Sequence, residues 1–436
     1  MATRGRERYG VAGSVTHRPP AVPIAVSGSL RPGEDVAFGR LHFRVFALPA
    51  HSPYAVGLLL TVGGQLRAVF CGDLYRDPGV LVNLYDLERG YGVDALPEVP
   101  GMLRRLAALG CPMVCPATGP AMADGDRRAL ALATRIDAWL AALTWESGRF
   151  RGVDNLVPSD PERHPRIGRW CRRAPGIYQM DQYGNAILLI DGRGRGLMVD
   201  PGPCGYGVPD RAGAFHDDLA RFERDCGLRT IDLALITHPH GDHYDMVPEL
   251  RRRYSACRVG AWGAVAQVIE NPSAWPYAAL LPWYGLGLDR IPVDLVLRRD
   301  TPFDWHGTAI ASAWLPGHCR LHAGYFCRFN GLNLAFTGDA IQERGRAATW
   351  SFIWSNDTPP TDELGLVAAY RTAARFPTDL NLGGHSSWFT GCAELYAESV
   401  ARMEHALPFL AAVVPDGDLL CAGHRPWHPD ADRNYG

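Results

Sequence analysis

The sequence predicts an α+β protein in which two β-sheets carry helices on their outer faces, and three observations predict it. Short apolar segments bounded by Gly, Asn and Asp recur between residues 177 and 338, as strands joined by tight turns do. One of them, "IDLALIT", is a nearly continuous apolar run, the pattern of a strand buried on both faces. Later segments, "TDELGLVAAYRTAARF" and "ELYAESVARMEHALPFL", switch to the period of a helix.

A chain of 436 residues, 47% hydrophobic and 10% aromatic, is longer than one ordinary domain and has ample material for one or two buried cores. Its 44 basic and 46 acidic residues are mixed along the chain and leave a net charge of −2, so no basic stripe argues for nucleic acid or an anionic membrane. Every basic side chain is Arg; the lack of Lys removes Schiff-base lysine chemistry and a P-loop lysine. The opening "MATRGRERYGVAGSVTHRPPAVP" has no apolar core of signal-peptide length, and no run of about 18 apolar residues occurs. Both point to a cytoplasmic protein. The 11 cysteines include no CxxC pair and read as reduced, mostly buried thiols, Cys319 among them.

Residues 1–24 read as a flexible N-terminus, and residues 146–173, Arg-rich and broken by Pro, as a linker. Between them, residues 25–145 carry one half of an internal repeat. The stretch "FRVFALPAHSPYAVGLLLTVGGQLRAVFCGDLY" lines up with "AIASAWLPGHCRLHAGYFCRFNGLNLAFTGDAI". His51 and Asp73 lie 22 positions apart where His318 and Asp339 lie 21 apart, and Thr118 stands opposite His385, at spacings of 45 and 46 from the two aspartates. From residue 174 to 436 a second domain opens with strands in "GIYQM", "NAILLID" and "GLMVD". After "IDLALIT", a helix follows in "YDMVPELRRRY", then strands in "TAIASAWLP", "AGYFCRF", "LNLAFTG" and "DLNLGG".

The chemistry concentrates in "THPHGDH", a turn between the strand "IDLALIT" and the helix after it. His238 and His240, two positions apart in an extended turn, face one cation, while Asp242 and His243 follow the Gly241 bend and face a second. A catalytic metal takes three or four donors and keeps a position for water, so partners are needed from elsewhere. "LPGHC" supplies His318, "FTGDA" supplies Asp339 and "LGGHS" supplies His385, each at a strand end beside a glycine. Seven donors make a dinuclear site, with Asp339 able to bridge.

These signals, with "DPG" at Asp200, occur in the order seen in the metallo-β-lactamase superfamily, which residues 175–415 resemble. The resemblance implies a four-layer αββα sandwich with the metals at one edge of its sheets, preceded here by a partial second copy of its C-terminal half. It implies that His238, His240 and His318 hold a first metal, and that Asp242, His243 and His385 hold a second. Asp339 bridges them, and Asp200 steadies the turn. The implied cofactors are two divalent ions, zinc foremost, with manganese or iron as the other ions such donors take. Many true β-lactamases of the superfamily carry Cys at the bridging position; Asp339 points away from antibiotic hydrolysis. His424 in "CAGHRPW" is a rival for His385, which the repeat spacing favours.

Two adjacent zinc ions bring the pKa of a bridging water to about 7, and the expected function is hydrolysis by that hydroxide. The target is an ester, thioester, lactone or related bond of a small molecule, with Asp242 and Asp339 relaying the proton. The alternatives are a phosphodiester hydrolase and an iron-dependent dioxygenase acting on persulfide-type sulfur. The N-terminal repeat has no "HxHxDH" and reads as non-catalytic, with an apolar sheet face that calls for cover by the second domain or by a homo-oligomer. Tyr244, Tyr325, Trp388 and Trp427 lie near motif ends, where core packing competes with a role in a pocket. "ENPSAWPYAALLPWYGLGLDRIP", apolar and uncharged over most of its length, reads as a specificity loop for an apolar or neutral acyl group.

Overall fold

The computed structural model describes residues 26, 28–49, 55–81, 96–143, 165–181, 184–202, 210–272, 290–319, 321–341 and 365–413. The first sheet comprises β1 (Asp35–Phe38), β2 (Leu41–Ala47), β3 (Val56–Val62), β4 (Gln65–Gly72) and, after helix α1 (Val99–Ala107), β5 (Val114–Pro116), in that order. Helix α2 (Gly125–Leu143) closes this N-terminal unit.

The second sheet has eight strands: β6 (Arg166–Ile167), β7 (Trp170–Ala174), β8 (Ile177–Met180), β9 (Ile187–Ile190), β10 (Arg195–Val199), β11 (Thr230–Ile236), β12 (Arg258–Trp262) and β13 (Leu295–Leu297). Its connections include α3 (Arg211–Asp225), α4 (Val247–Arg253) and α5 (Gly263–Glu270). Asp210 caps α3 by accepting a hydrogen bond from Gly213 N at 2.9 Å, which satisfies one of the amides a helix start leaves bare. Strand β11, "TIDLALI", runs parallel to both β10 and β12 and lies inside the sheet, which is why its residues from Leu233 to Ile236 are apolar on both faces.

The third sheet is β14 (Phe303–Trp305), β15 (Thr308–Trp314), β16 (Ala323–Phe329), β17 (Leu332–Gly338), β18 (Leu380–Gly383) and β19 (Trp388–Phe389). Helix α6 (Leu366–Ala373) lies between β17 and β18, and α7 (Cys392–Val413) follows β19. One core joins the facing sides of the second and third sheets to α3, α4 and α5, with Leu235, Tyr325 and Phe336 at its centre. A second core lies on the other side of the third sheet. There Phe326 and Ala335 meet Tyr370 of α6 and Met403 of α7, and the same cluster takes in Leu103 of α1, Trp139 of α2 and Val69 of β4. The residues from β6 onward thus form an αββα sandwich, with the N-terminal unit docked through α2 on α7 and sharing the second core.

Strands β4 and β5 pair in parallel with a register shift between Phe70 and Gly72, and β17 and β18 pair in parallel with a shift between Phe336 and Gly338.

The linker expected over residues 146–173 needs correction at its end, because β6 and β7 belong to the second sheet. An edge hairpin buries only part of its residues, so its sequence can stay Arg-rich. Trp170 and Cys171 enter the core while Arg169 pairs with the buried Asp218 at 2.7 Å. Residues 1–24, His51, His424, Trp427 and residues 273–289 of the expected specificity loop lie outside the described residues. Among those described, no helix is long and apolar enough to cross a membrane.

Candidate metal centre

Strand ends deliver the polar residues to one edge of the sandwich. Asp200 follows β10, "THPHGDH" follows β11, His318 follows β15, Asp339 follows β17 and His385 follows β18. In the turn after β11 a single turn of 3-10 helix, Gly241–His243, carries Asp242 and His243 inward. All seven residues are buried.

Three groups of three possible donors form; one, Asp200 with His238 and His243, overlaps the other two and has its carboxylate engaged by Thr237 and His243 Nδ1. The nitrogens of His238, His240 and His318 lie within 4.8 Å of one another, as do the donor atoms of Asp242, His243 and His385. Asp339 Oδ2 stands between the groups, 3.5 Å from His318 Nε2 and 4.0 Å from His238 Nε2 on one side. On the other side it is 3.1 Å from His385 Nε2 and 3.4 Å from His243 Nε2.

Hydrogen bonds fix which nitrogen faces the centre. Asp200 accepts from Thr237 N at 2.8 Å, from Thr237 Oγ1 at 2.7 Å and from His243 Nδ1 at 2.9 Å. Because the Thr237 hydroxyl donates to Asp200, it accepts from His238 Nδ1 at 3.0 Å. Both imidazoles therefore turn Nε2 lone pairs toward Asp339, and these two nitrogens are buried with no hydrogen-bond partner. A buried acceptor facing a carboxylate is costly unless a cation sits between them, so these atoms fit a divalent ion of the kind imidazole and carboxylate bind.

Electrostatics agree. Burial drives the imidazole of His240 down to about 4 and that of His238 well below its ordinary value, so both rings are neutral, the form that can donate to a metal. Burial also lowers His243, but Asp339, Asp200 and Asp242 outweigh it and hold that ring well above its ordinary value. The field that would retain a proton there is the field that attracts a metal.

Several supporting residues were missed in the sequence. Asn185 donates from Nδ2 to Asp242 O at 2.9 Å and to Asp242 Oδ2 at 3.2 Å, and its Oδ1 accepts from His385 N at 2.7 Å. Gln179 Nε2 donates to Gly383 O at 3.0 Å and Ser387 O at 2.9 Å, and Ser386 Oγ donates to Met180 O at 3.1 Å, tying the His385 loop to β8. His322, at the start of β16, stacks on His238 with centroids 4.7 Å apart and accepts from Asp339 N at 3.2 Å. The spacing of His318 and His322 in "GHCRLH" was the one signal for it.

Glycine is required where these groups crowd. Gly338 has φ +45, and a Cβ there would meet Thr237 Oγ1 at 2.5 Å and His322 Nε2 at 2.6 Å. A Cβ on Gly384 would meet Asp339 Oδ1 at 2.0 Å. The aromatics separate: Tyr244 and Tyr325 are core residues whose hydroxyls donate to Pro239 O and Ile236 O, while Trp388 is half-buried with the Arg173 guanidinium 4.5 Å above its ring. In the N-terminal unit, Thr118 Oγ1 donates to Asp73 Oδ1 at 3.3 Å at an exposed position.

Residues 181–385 match the family model of the metallo-beta-lactamase superfamily. That stretch is a domain of the metallo-β-lactamase superfamily. The metallo-β-lactamase domain is also similar to solved structures. Against the metallo-β-lactamase with a HARLDQ motif from Cronobacter sakazakii the identity is 14%, covering 56% of this chain and 93% of that one, with a TM-score of 0.39. BJP-1, a subclass B3 metallo-β-lactamase of Bradyrhizobium japonicum, gives 15%, 58%, 95% and 0.40 in the same order. The metallo-β-lactamase MIM-1 from Novosphingobium pentaromativorans gives 19%, 53%, 89% and 0.36. At so low a likeness nothing about substrate passes from them to this chain. No curated protein matches it.

Proposed function

We propose that the chain is a dinuclear metal-dependent hydrolase that cleaves an ester, thioester, lactone or related bond of a small molecule. The observation that carries the reading is the pair of buried three-donor groups on either side of one oxygen of Asp339. His238, His240 and His318 would hold one ion, Asp242, His243 and His385 the other, and Asp339 would span both. Zinc is the ion such imidazole and carboxylate donors favour. When bound, two such ions supply Lewis acidity and a nucleophilic form of water near neutral pH.

The chain's own residues set the geometry. Asp200 and Thr237 hold the rings of His243 and His238 in the tautomer that presents Nε2. Asn185 holds the Asp242 carboxylate against His385. Asp242 and Asp339, the two carboxylates inside the cluster, accept and relay the proton of the attacking water. The half-buried Asp73 and the exposed Thr118, joined to each other and without an HxHxDH turn, leave the N-terminal unit non-catalytic.

The test is metal analysis of the full chain, followed by a zinc- or manganese-loaded sample offered lactones, thioesters, aryl esters, β-lactams and bis-aryl phosphates. The expected outcome is two ions per chain and chelator-sensitive hydrolysis of a carbonyl substrate. One tightly bound iron per chain, with oxygen uptake on a persulfide and no hydrolysis, would overturn the reading. Four ions per chain would overturn the assignment of the N-terminal unit.

A further inference from the structure

Two neighbouring residues of the loop between β18 and β19, His385 and Ser386, hold φ values of +50 and +63. Side chains other than glycine disfavour that left-handed region, so such a pair persists only where the surroundings fix it. His385 must nevertheless bring Nε2 to 3.1 Å from Asp339 Oδ2. Gln179, fully buried in β8, holds both legs of the loop. Its Nε2 donates to Gly383 O and to Ser387 O, which lie two positions before and two after His385.

Gln179 is in turn held by Arg173. On β7, Cys171 pairs with Gln179, and Arg173 stands two positions further along, at the register shift between Arg172 and Ala174. Its Nε donates to Gln179 Oε1 at 3.0 Å. That bond decides which end of the amide faces the loop. Turned end for end, Gln179 would set Oε1 against two carbonyl oxygens and Nε2 against another donor. The guanidinium also lies over the Trp388 ring, 4.5 Å from its centroid, and Trp388 follows His385 by three positions and pairs with Leu382. Arg173 therefore meets the loop twice, through Gln179 and at its outgoing end. Its Nη1 is buried with no hydrogen-bond partner, a cost that the other two contacts must offset.

We propose that Arg173 is a positioning residue for the donor group of Asp242, His243 and His385, acting on His385 through Gln179 and Trp388. The inference rests on the reading of that group as a metal site. His238, His240 and His318 stand outside this chain of contacts, so the effect of Arg173 falls on one donor group and spares the other. Lysine cannot take its place fully, because an ammonium is a point charge that does not lie flat on a ring while donating sideways to an amide.

Amide hydrogen exchange on the full chain, as purified and again after chelation, reads the loop with or without metal. In Arg173→Met, which keeps an apolar stem beside Trp388, the segment 383–388 is expected to exchange about 10-fold faster or more in both states, while the segment 237–243 keeps its rate. Unchanged exchange at 383–388, or equal acceleration of both segments, overturns the proposal. Titration with cobalt(II), followed by its visible bands, is expected to show binding about 10–100-fold weaker at the His385 group alone. Arg173→Met/Gln179→Leu should bind no more weakly than Gln179→Leu; losses that add overturn the route through Gln179. Should Arg173→Met misfold, Arg173→Lys carries the test: a rate at 383–388 above that of the wild type supports the proposal, and the wild-type rate overturns it. A wild-type chain that binds one ion or none would sink the hydrolase reading, and exchange at 383–388 would still decide the role of Arg173.

Discussion

Asn185 offers the sharpest test of how the two donor groups are held. Its side chain binds Asp242 twice and His385 once, and both partners lie in the same three-donor group; it has no hydrogen bond to His238, His240 or His318. Asn185→Ala removes these three buried bonds and strands the His385 amide and the Asp242 carbonyl. Each bond is worth about 1 kcal/mol net. Most of the loss should appear in metal affinity, because the Asp242 carboxylate and the His385 loop lose their mutual anchor. Losing an outer partner of this kind costs roughly 10–100-fold in affinity, or about 1.4–2.7 kcal/mol, which matches two to three such bonds.

The assay is competition with a chromogenic chelator, read as two separate dissociation constants beside the thermal midpoint. One site should weaken about 10–100-fold while the other keeps its affinity, so that strongly bound metal falls from two ions toward one. Equal weakening of both sites, or none at either, would refute the division into two groups. A midpoint that collapses while both affinities stay put would show that Asn185 serves the fold and not the centre.

Asp200→Asn replaces an acceptor of three hydrogen bonds with an amide that cannot accept them all; affinity at the His243 group should fall about 10–100-fold by the same titration, with the far-UV circular dichroism unchanged. Gly384→Ala drives a methyl group toward Asp339 Oδ1 and His243 Cε1, 2.0 and 3.0 Å from the new carbon, and should abolish tight binding of both ions while costing about 1–3 kcal/mol in denaturant unfolding. Glu223, on α3, accepts from Arg253 Nε at 2.8 Å and from Tyr254 OH at 2.7 Å, and the arginine above all holds its carboxyl below the ordinary value against the opposing effect of burial. A depressed folded pKa stabilises above the unfolded value and loses that stabilisation as pH falls through the folded one. Glu223→Gln should therefore cost up to about 1 kcal/mol at pH 7, after discounting for solvent, and nothing at the acid end; a pH-independent difference in unfolding free energy would contradict this.

The sequence exposed those parts of the protein whose signal is local. "IDLALIT" reads as a doubly buried strand because that burial is written into consecutive residues, and β11 has parallel neighbours on both sides. His238, His240, Asp242 and His243 announce themselves by crowding into one turn. His318, Asp339 and His385 each follow a strand and a glycine, and the fold gathers them against that turn. Asn185 stayed hidden because a single Asn in "YGNAILL" has no periodicity and acquires its role only when a loop 200 positions away arrives. Strands β6 and β7 stayed hidden because an edge hairpin can keep Arg outward while only Trp170 and Cys171 carry the burial. His322 escaped because its work is done on a backbone amide, that of Asp339, which no sequence pattern displays.

The bonds from Gln179, Met180 and Asn185 to the loop at residues 383–387 span 200 to 208 positions. Closing a loop of that length costs about 2–3 kcal/mol more than closing one of a dozen residues, so these contacts form only after enough of the domain has assembled to offset it. During synthesis the turn "THPHGDH" leaves the ribosome about 140 residues ahead of His385, roughly 7–28 s at ordinary elongation rates, and waits with its own donors exposed. Nascent chains stalled before residue 385 should hold a metal weakly at most. Tight retention of metal then reports that β8 and the loop between β18 and β19 have met.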